Sequence, residues 1–494
     1  MKGGGFVYRC LVLFGLSFAL AVHAQDPAPT SSLQFESSDR KLVQAFQWAK
    51  SRALAYAHDA SDPVGPWYEA ALPGRDSFCM RDVSHQTTGA APLGLYSENR
   101  NMLGRFAAAV SPGRDWAGFW EIDKAGHPSA ADYVSDNDFW YNLPANFDLL
   151  DSIVRMWRWT GDQSYVNDSS IQRFFDSTGT AYVNAWDLQP DRILQRPRLM
   201  NQRLLKGKFV QERGIPSYTE GQDNFNLGTD LLAAEYRAFE SLRVVAISRH
   251  EALREQQYAK AANGISDLIE NRAWSEKDHH FMGFFSRDGG THGSGDSMVL
   301  YFGATKDPGH IRSALSHIES AEYLNRIGIE EESYLPQTLY RYGEKDAAYG
   351  LIMDLTRADK ERRDYPEVSF SVIGTIVTGM MGMEVVDDGN RQRMLVHSIS
   401  RLRNGSDSAK LSGVRVRDSL VDLEHVGDRR STLTNRSKKP IYWQATFPGR
   451  LPILIVNGHP VRSTISLDES LAPVSWIVAV VPAGGIVSVT RPPS

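Results

Sequence analysis

Gly214-Ile215-Pro216-Ser217-Tyr218-Thr219-Glu220-Gly221-Gln222-Asp223-Asn224-Phe225 reads as a loop with two acids and two aromatics, and a long helical run follows it. Its glycines and proline mark it as a connection and not as helix. The same arrangement recurs at residues 75–85, 133–140, 292–296, 330–334 and 364–370. Six such loops, each ahead of an apolar helical run, predict a mainly α chain. The expected form is an (α/α)6 toroid of six helical hairpins, with a ring of loop-borne polar groups on one face.

The flanking sequence extends this reading. Ser38-Asp39 caps a helix whose apolar positions Leu42, Val43, Phe46 and Ala49 follow i, i+3, i+4 spacing. A helix from about residue 82 carries Thr87, Thr88, Gly89 and Ala90, small enough for close packing. Residues 97–110 form the next, stopped by Ser111-Pro112-Gly113. Asp136-Asn137-Asp138 is expected to cap a long helix to Trp159, with a polar helix over 163–186 after it. Further pairs fall at 227–249 with 251–274, 296–302 with 309–320, and 332–342 with 344–358. Residues 368–383 read as a fully buried helix partnered by the one ending at Ala358.

From about residue 391 the period becomes two. Short β-type runs at 411–416, 420–425, 431–434, 441–447, 453–456, 476–481 and 485–490 predict a small antiparallel β-sandwich. Asp387-Asp388-Gly389-Asn390 marks the boundary. The expected domains are a leader over 1–24, a linker over 25–37, the toroid over 38–388 and the sandwich over 389–494.

The leader rests on Lys2 and Arg9, an apolar run over 11–22, and Val22-His23-Ala24 ahead of Gln25. That run is too short for a permanent anchor, so a secreted or periplasmic protein is expected, with no membrane contact after cleavage. Cys10 lies in the leader, leaving Cys79 as the one cysteine of the mature chain and no intrachain disulfide. A net charge of -5 and a pI near 6.2 supply no basic field, which excludes nucleic acid as a partner. The 42% hydrophobic content of the 494 residues suffices for one large core or two domains. Oligomeric state leaves no signal.

Arg81-Asp82 at the first loop, Tyr334-Leu335-Pro336, and Tyr340-Arg341-Tyr342-Gly343 late in the helical part resemble the six-hairpin glycosidases. That group includes the glucoamylases, trehalases and α-L-rhamnosidases. The resemblance covers residues 40–403 as architecture, without the strict signature of any one activity. It implies a glycoside hydrolase acting on an oligosaccharide or glycoside without a cofactor. It also implies inversion at a non-reducing end, with a general acid in a middle loop and a general base in the last. Those loops map to Glu220 as acid and Glu367 as base. Glu330-Glu331-Glu332 is a rival source of the base, Glu332 among them, and Asp223 a rival acid. Arg81, Asp82 and His85 are expected to clamp the substrate, since Asp82 and His85 share a helix face. Trp67, Asp138, Trp140 and Tyr334 are further binding candidates, with Trp116 and Trp120 as possible stacking surfaces.

Two other classes stay open. A polysaccharide lyase on the same scaffold would use His85 and Tyr218, with Arg81 neutralising a uronate. A non-catalytic glycan-binding protein would keep only the scaffold. No metal site is expected: His279-His280 lacks a third ligand at useful spacing, and Asp136-Asn137-Asp138 is half a calcium loop.

Overall fold

The computed structural model describes residues 31–196, 207–210, 212–219, 225–387 and 394–493. The leader, Glu220, Asp223 and the boundary residues Asp388, Gly389 and Asn390 lie outside the described residues.

Helices take 43% of the described residues and strands 25%, so β-structure is a larger share than "mainly α" conveys. The principal helices are α1 (Arg40–Ala55), α2 (Met80–Leu93), α3 (Tyr96–Ala109), α4 (Pro144–Thr160), α5 (Ser169–Asp176), α6 (Thr229–Ser248), α7 (Ala252–Leu268), α8 (Asp296–Tyr301), α9 (Pro308–Ile318), α10 (Ile329–Arg341), α11 (Lys345–Leu355) and α12 (Pro366–Gly374). Their ends follow ordinary capping chemistry. Asp39 accepts from Lys41 N and Leu42 N at the start of α1 (2.9 and 3.2 Å). Gly94 and Gly161 close α2 and α4 in the left-handed region, and Pro144, Pro308 and Pro366 open their helices at the first turn.

The even-numbered helices form a closed cycle of neighbours. α2 packs on α4, α4 on α6, α6 on α8, α8 on α10, α10 on α12, and α12 returns to α2. The small face of α2 makes the closing contact possible: a Cβ on Gly89 would run into the carbonyl of Phe370. The odd-numbered helices lie outside this cycle. α12 packs on α1, whereas α11 packs on α10 and α1. The helix ending near Ala358 is therefore not the partner of the last inner helix, because the chain closes the ring with its first helix.

Twelve strands make two sheets: β1 (Gln34–Ser37), β2 (Glu384–Asp387), β3 (Met394–Ile399), β4 (Ser408–Val416), β5 (Ser419–Val426), β6 (Arg430–Asn435), β7 (Ile441–Pro448), β8 (Ile453–Val456), β9 (His459–Arg462), β10 (Thr464–Leu467), β11 (Pro473–Val481) and β12 (Ile486–Thr490). One sheet runs β1-β4-β5-β6-β12-β8-β9 and the other β2-β3-β7-β11-β10. They pack through β6, β7, β8, β11 and β12. All pairs are antiparallel except β3 with β7, where Val396 faces Trp443. Residues 34–37, expected as linker, are instead an edge strand of this unit: Phe35 pairs with Leu411. One large apolar core runs from Leu33 through the helices to Val489, and a small second cluster joins Ile329, Leu355, Tyr365 and Val368. Among the described residues no helix is long and apolar enough to cross a membrane.

Candidate active site

Five inner helices carry an acid in their first turn: Asp82 on α2, Asp230 on α6, Asp296 on α8, Glu330, Glu331 and Glu332 on α10, and Glu367 on α12. The helix dipole favours carboxylates there, yet several of these acids also face one pocket of about 440 Å³. Arg81, Tyr218, Asp230, Glu330, Glu331 and Tyr334 line it. One wall is a hairpin of strands His280–Ser286 and Thr291–Ser294, presenting Gly283, Phe284 and Ser294. A separate, narrow cavity that shares Tyr334 with this pocket is lined by His85, Gln86, Gln337 and Glu367.

Arg81 organises the mouth. Its guanidinium bonds Glu330 at 2.9 Å, lies 3.6 Å from Asp82, and overlies the rings of Tyr218 and Trp120. Below it, Tyr334 O–H donates to Glu367 Oε1 at 3.1 Å, leaving Oε2 buried and without a hydrogen-bond partner. Burial pushes the Glu367 carboxyl well above its ordinary range, and the Asp82 and Glu330 charges push it further. Burial also raises Asp82, though Arg81 opposes the rise. Of the pair, Glu367 holds the proton and Asp82 the charge beside Arg81.

His85 stacks on Tyr334 with ring centroids 4.3 Å apart. Its nitrogens lie 3.0 Å from Tyr301 O–H and 3.4 Å from Asp148 Oδ2. Tyr218 O–H donates to the same Asp148 oxygen. Across the ring, Asp230 accepts from Ser217 Oγ and Tyr218 N at 2.7 Å each. Burial nevertheless lifts it to about 6.

Arg81, Asp82, His85, Tyr334 and Glu367 thus come together as expected. Four other candidates do not join them. Glu332 turns away from the pocket to Lys360 (2.7 and 2.8 Å), which also bonds Asp354, because the first turn of α10 points successive acids in different directions. Trp67 is a fully buried core residue stacked on His58, with its indole N–H on Asp62. Asp138 sits in a short strand and accepts from Lys208 N and Phe209 N (2.9 and 2.8 Å), so it holds a loop and caps no helix. Trp140 packs edge-on against Trp120, behind Arg81.

Sequence reading missed Asp148 and Asp230. The signal for Asp148 is an acid inside the apolar run Phe147-Asp148-Leu149-Leu150, and for Asp230 an acid directly after Gly228-Thr229. The lyase trio does gather, but burial and Asp148 push the Tyr218 phenol well above its ordinary range, which disfavours it as a base. His280 finds partners far away in sequence: with Asp296 and His317 it forms a cluster of three potential ligands, correcting the expectation that no third ligand was within reach.

No protein-family model matches the chain, and no curated sequence does. Its fold does match solved structures. An α-L-rhamnosidase from Dictyoglumus thermophilum superposes with a TM-score of 0.59 at 13% identity, covering 94% of this chain and 51% of that one. An α-L-rhamnosidase from Aspergillus terreus gives 0.52 at 12%, covering 92% and 50%. A putative kojibiose phosphorylase from human microbiome gives 0.51 at 9%, covering 92% and 67%. The chain spans about half the length of the two rhamnosidases. These likenesses show the fold alone, one that the chain shares with these rhamnosidase and phosphorylase structures.

Proposed function

We propose that this chain is an exported glycoside hydrolase on an (α/α)6 toroid, releasing a sugar from a non-reducing end with inversion. The observation that carries the reading is a pair of carboxyl groups with raised pKa on opposed members of the inner ring. These are Glu367 on α12 and Asp230 on α6. Glycoside hydrolysis needs one carboxyl protonated and the other charged. The electrostatics reverse the roles expected from the resemblance. Glu367 keeps its proton and suits the general acid, whereas a carboxylate titrating near 6 is charged at neutral pH and still basic enough to activate water. Glu220, in the same segment as Ser217 and Tyr218, is the second candidate for that side.

Asp82 and Glu330, fixed by Arg81, accept hydroxyl hydrogen bonds from the sugar, and the rings of Tyr218 and Tyr334 take its C–H face. Export rests on the leader composition. The test is ¹H NMR of the purified protein with a panel of aryl glycosides. Aryl α-L-rhamnosides come first, because two of the structural neighbours are α-L-rhamnosidases. Release of the sugar with inverted anomeric configuration is expected. Retention contradicts the inverting assignment, and unsaturated ultraviolet-absorbing products favour the lyase.

A further inference from the structure

His280 opens the hairpin strand that walls the pocket, Asp296 is the first residue of α8, and His317 lies in the last turn of α9. One potential ligand atom from each lies within 4.8 Å of the other two. We propose that these three side chains bind a divalent first-row transition ion, zinc foremost, and that the ion pins the pocket wall to α8 and α9.

The supporting contacts already orient the donors. The His280 ring has Nδ1 2.9 Å from its neighbour's carbonyl, Phe281 O, so Nδ1 carries the proton and Nε2 keeps its lone pair. Asp296 is fully buried, and its Oδ1 accepts from Phe281 N at 2.7 Å. Its Oδ2 lies 2.6 Å from His317 Nδ1. The two bonds to the Phe281 backbone are of the kind that fixes the orientation of metal-binding imidazoles and carboxylates. The His280 and His317 rings stack with centroids 4.7 Å apart. His317 is 31% exposed, so an ion can reach it.

Two imidazoles and one carboxylate suit zinc and its neighbours, whereas calcium and magnesium require oxygen ligands. In the metal-free form a proton joins Asp296 to His317. Binding replaces that proton with the ion, releases it to solvent, and widens the N···O separation to about 3.3 Å, as tetrahedral zinc bonds of about 2.0–2.1 Å require. Water completes the fourth position.

The hairpin makes the site consequential. Residues just beyond His280, namely Gly283 and Phe284, and those just before Asp296, namely Ser294 and Gly295, line the pocket. A metal at their base ties both strands of the wall to the helical ring.

The test is calorimetric titration of untagged, chelator-stripped protein with zinc chloride, alongside thermal denaturation. One zinc per chain is expected, with a rise in Tm that grows with zinc concentration. His280→Ala and His317→Ala, at part-exposed positions, are expected to weaken binding at least 100-fold with unchanged far-UV circular dichroism. His310→Ala leaves binding intact: His310 pairs with Glu270 at 2.6 Å but lies outside the cluster. Absence of saturable binding, or wild-type affinity in the His280→Ala, His317→Ala double variant, overturns the proposal.

Discussion

Asp230 shows how the site is held against the interest of stability. Its ordinary value of 3.8 rises to about 6 in the fold, which corresponds to roughly 3 kcal/mol at neutral pH. The sign follows from a raised folded-state value. The penalty is absent below 3.8 and accumulates as pH rises toward 6, so stability falls over that window. Asp230→Asn removes the charge that burial opposes. The expected outcome is a Tm at pH 7.5 that is unchanged or higher, while kcat/KM falls about 10²–10⁴-fold. The acid limb of the wild-type kcat/KM profile is expected near pH 6 and disappears in the variant. A sharply lower Tm with activity per folded molecule intact would make Asp230 a structural acid. Arg81, Asp82, His85 and Glu367 were legible because an acid or its partner at an inner-helix start is tied to the pocket by helix geometry. Trp67 and Asp138 were not, since adjacency to a loop does not say whether a side chain points to the core or to the pocket.

Among the elements, the α2–α12 crossing sets the ring's closure. Gly89→Ala places a methyl against the Phe370 carbonyl, backbone that cannot step aside. A loss of roughly 3 kcal/mol is expected by thermal or urea denaturation, as overpacking dictates. Gly350→Ala on α11 meets nothing within 4 Å, and is expected to stabilise by up to about 1 kcal/mol through helix propensity. Equal effects at the two positions would show that the crossing is looser than described. Helix number and order were legible because the 3.6-residue period persists through each run. The partner of α12 was not, because ring closure joins residues more than 300 apart, beyond any local pattern. The short strands Asp138–Phe139 and His280–Ser286 escaped for a related reason: their pairing partners, not their own sequences, make them strands.

Across the whole molecule, the helical ring and the β-sandwich share one core. β1 crosses from the N-terminal side to pair with β4, α2 packs on β4, and Arg401 donates to the carbonyl of Gly379 at 2.7 Å. Deleting everything after Asp387 leaves β1 without β4 and uncovers the part of α2 that packs on β4, so aggregated protein is expected on expression. A soluble helical unit with a cooperative melt would show the two units to be separable. In the proposed function Glu367 delivers a proton to the leaving group. That role is tested most directly by measuring kcat/KM of wild type and Glu367→Gln on one hydrolysed glycoside carrying either a dinitrophenyl or a methyl leaving group. The variant is expected to lose about 10³-fold on the methyl glycoside and less than about tenfold on the dinitrophenyl one, which needs little protonation. Equal losses on both substrates, or no loss on the methyl glycoside, would contradict it.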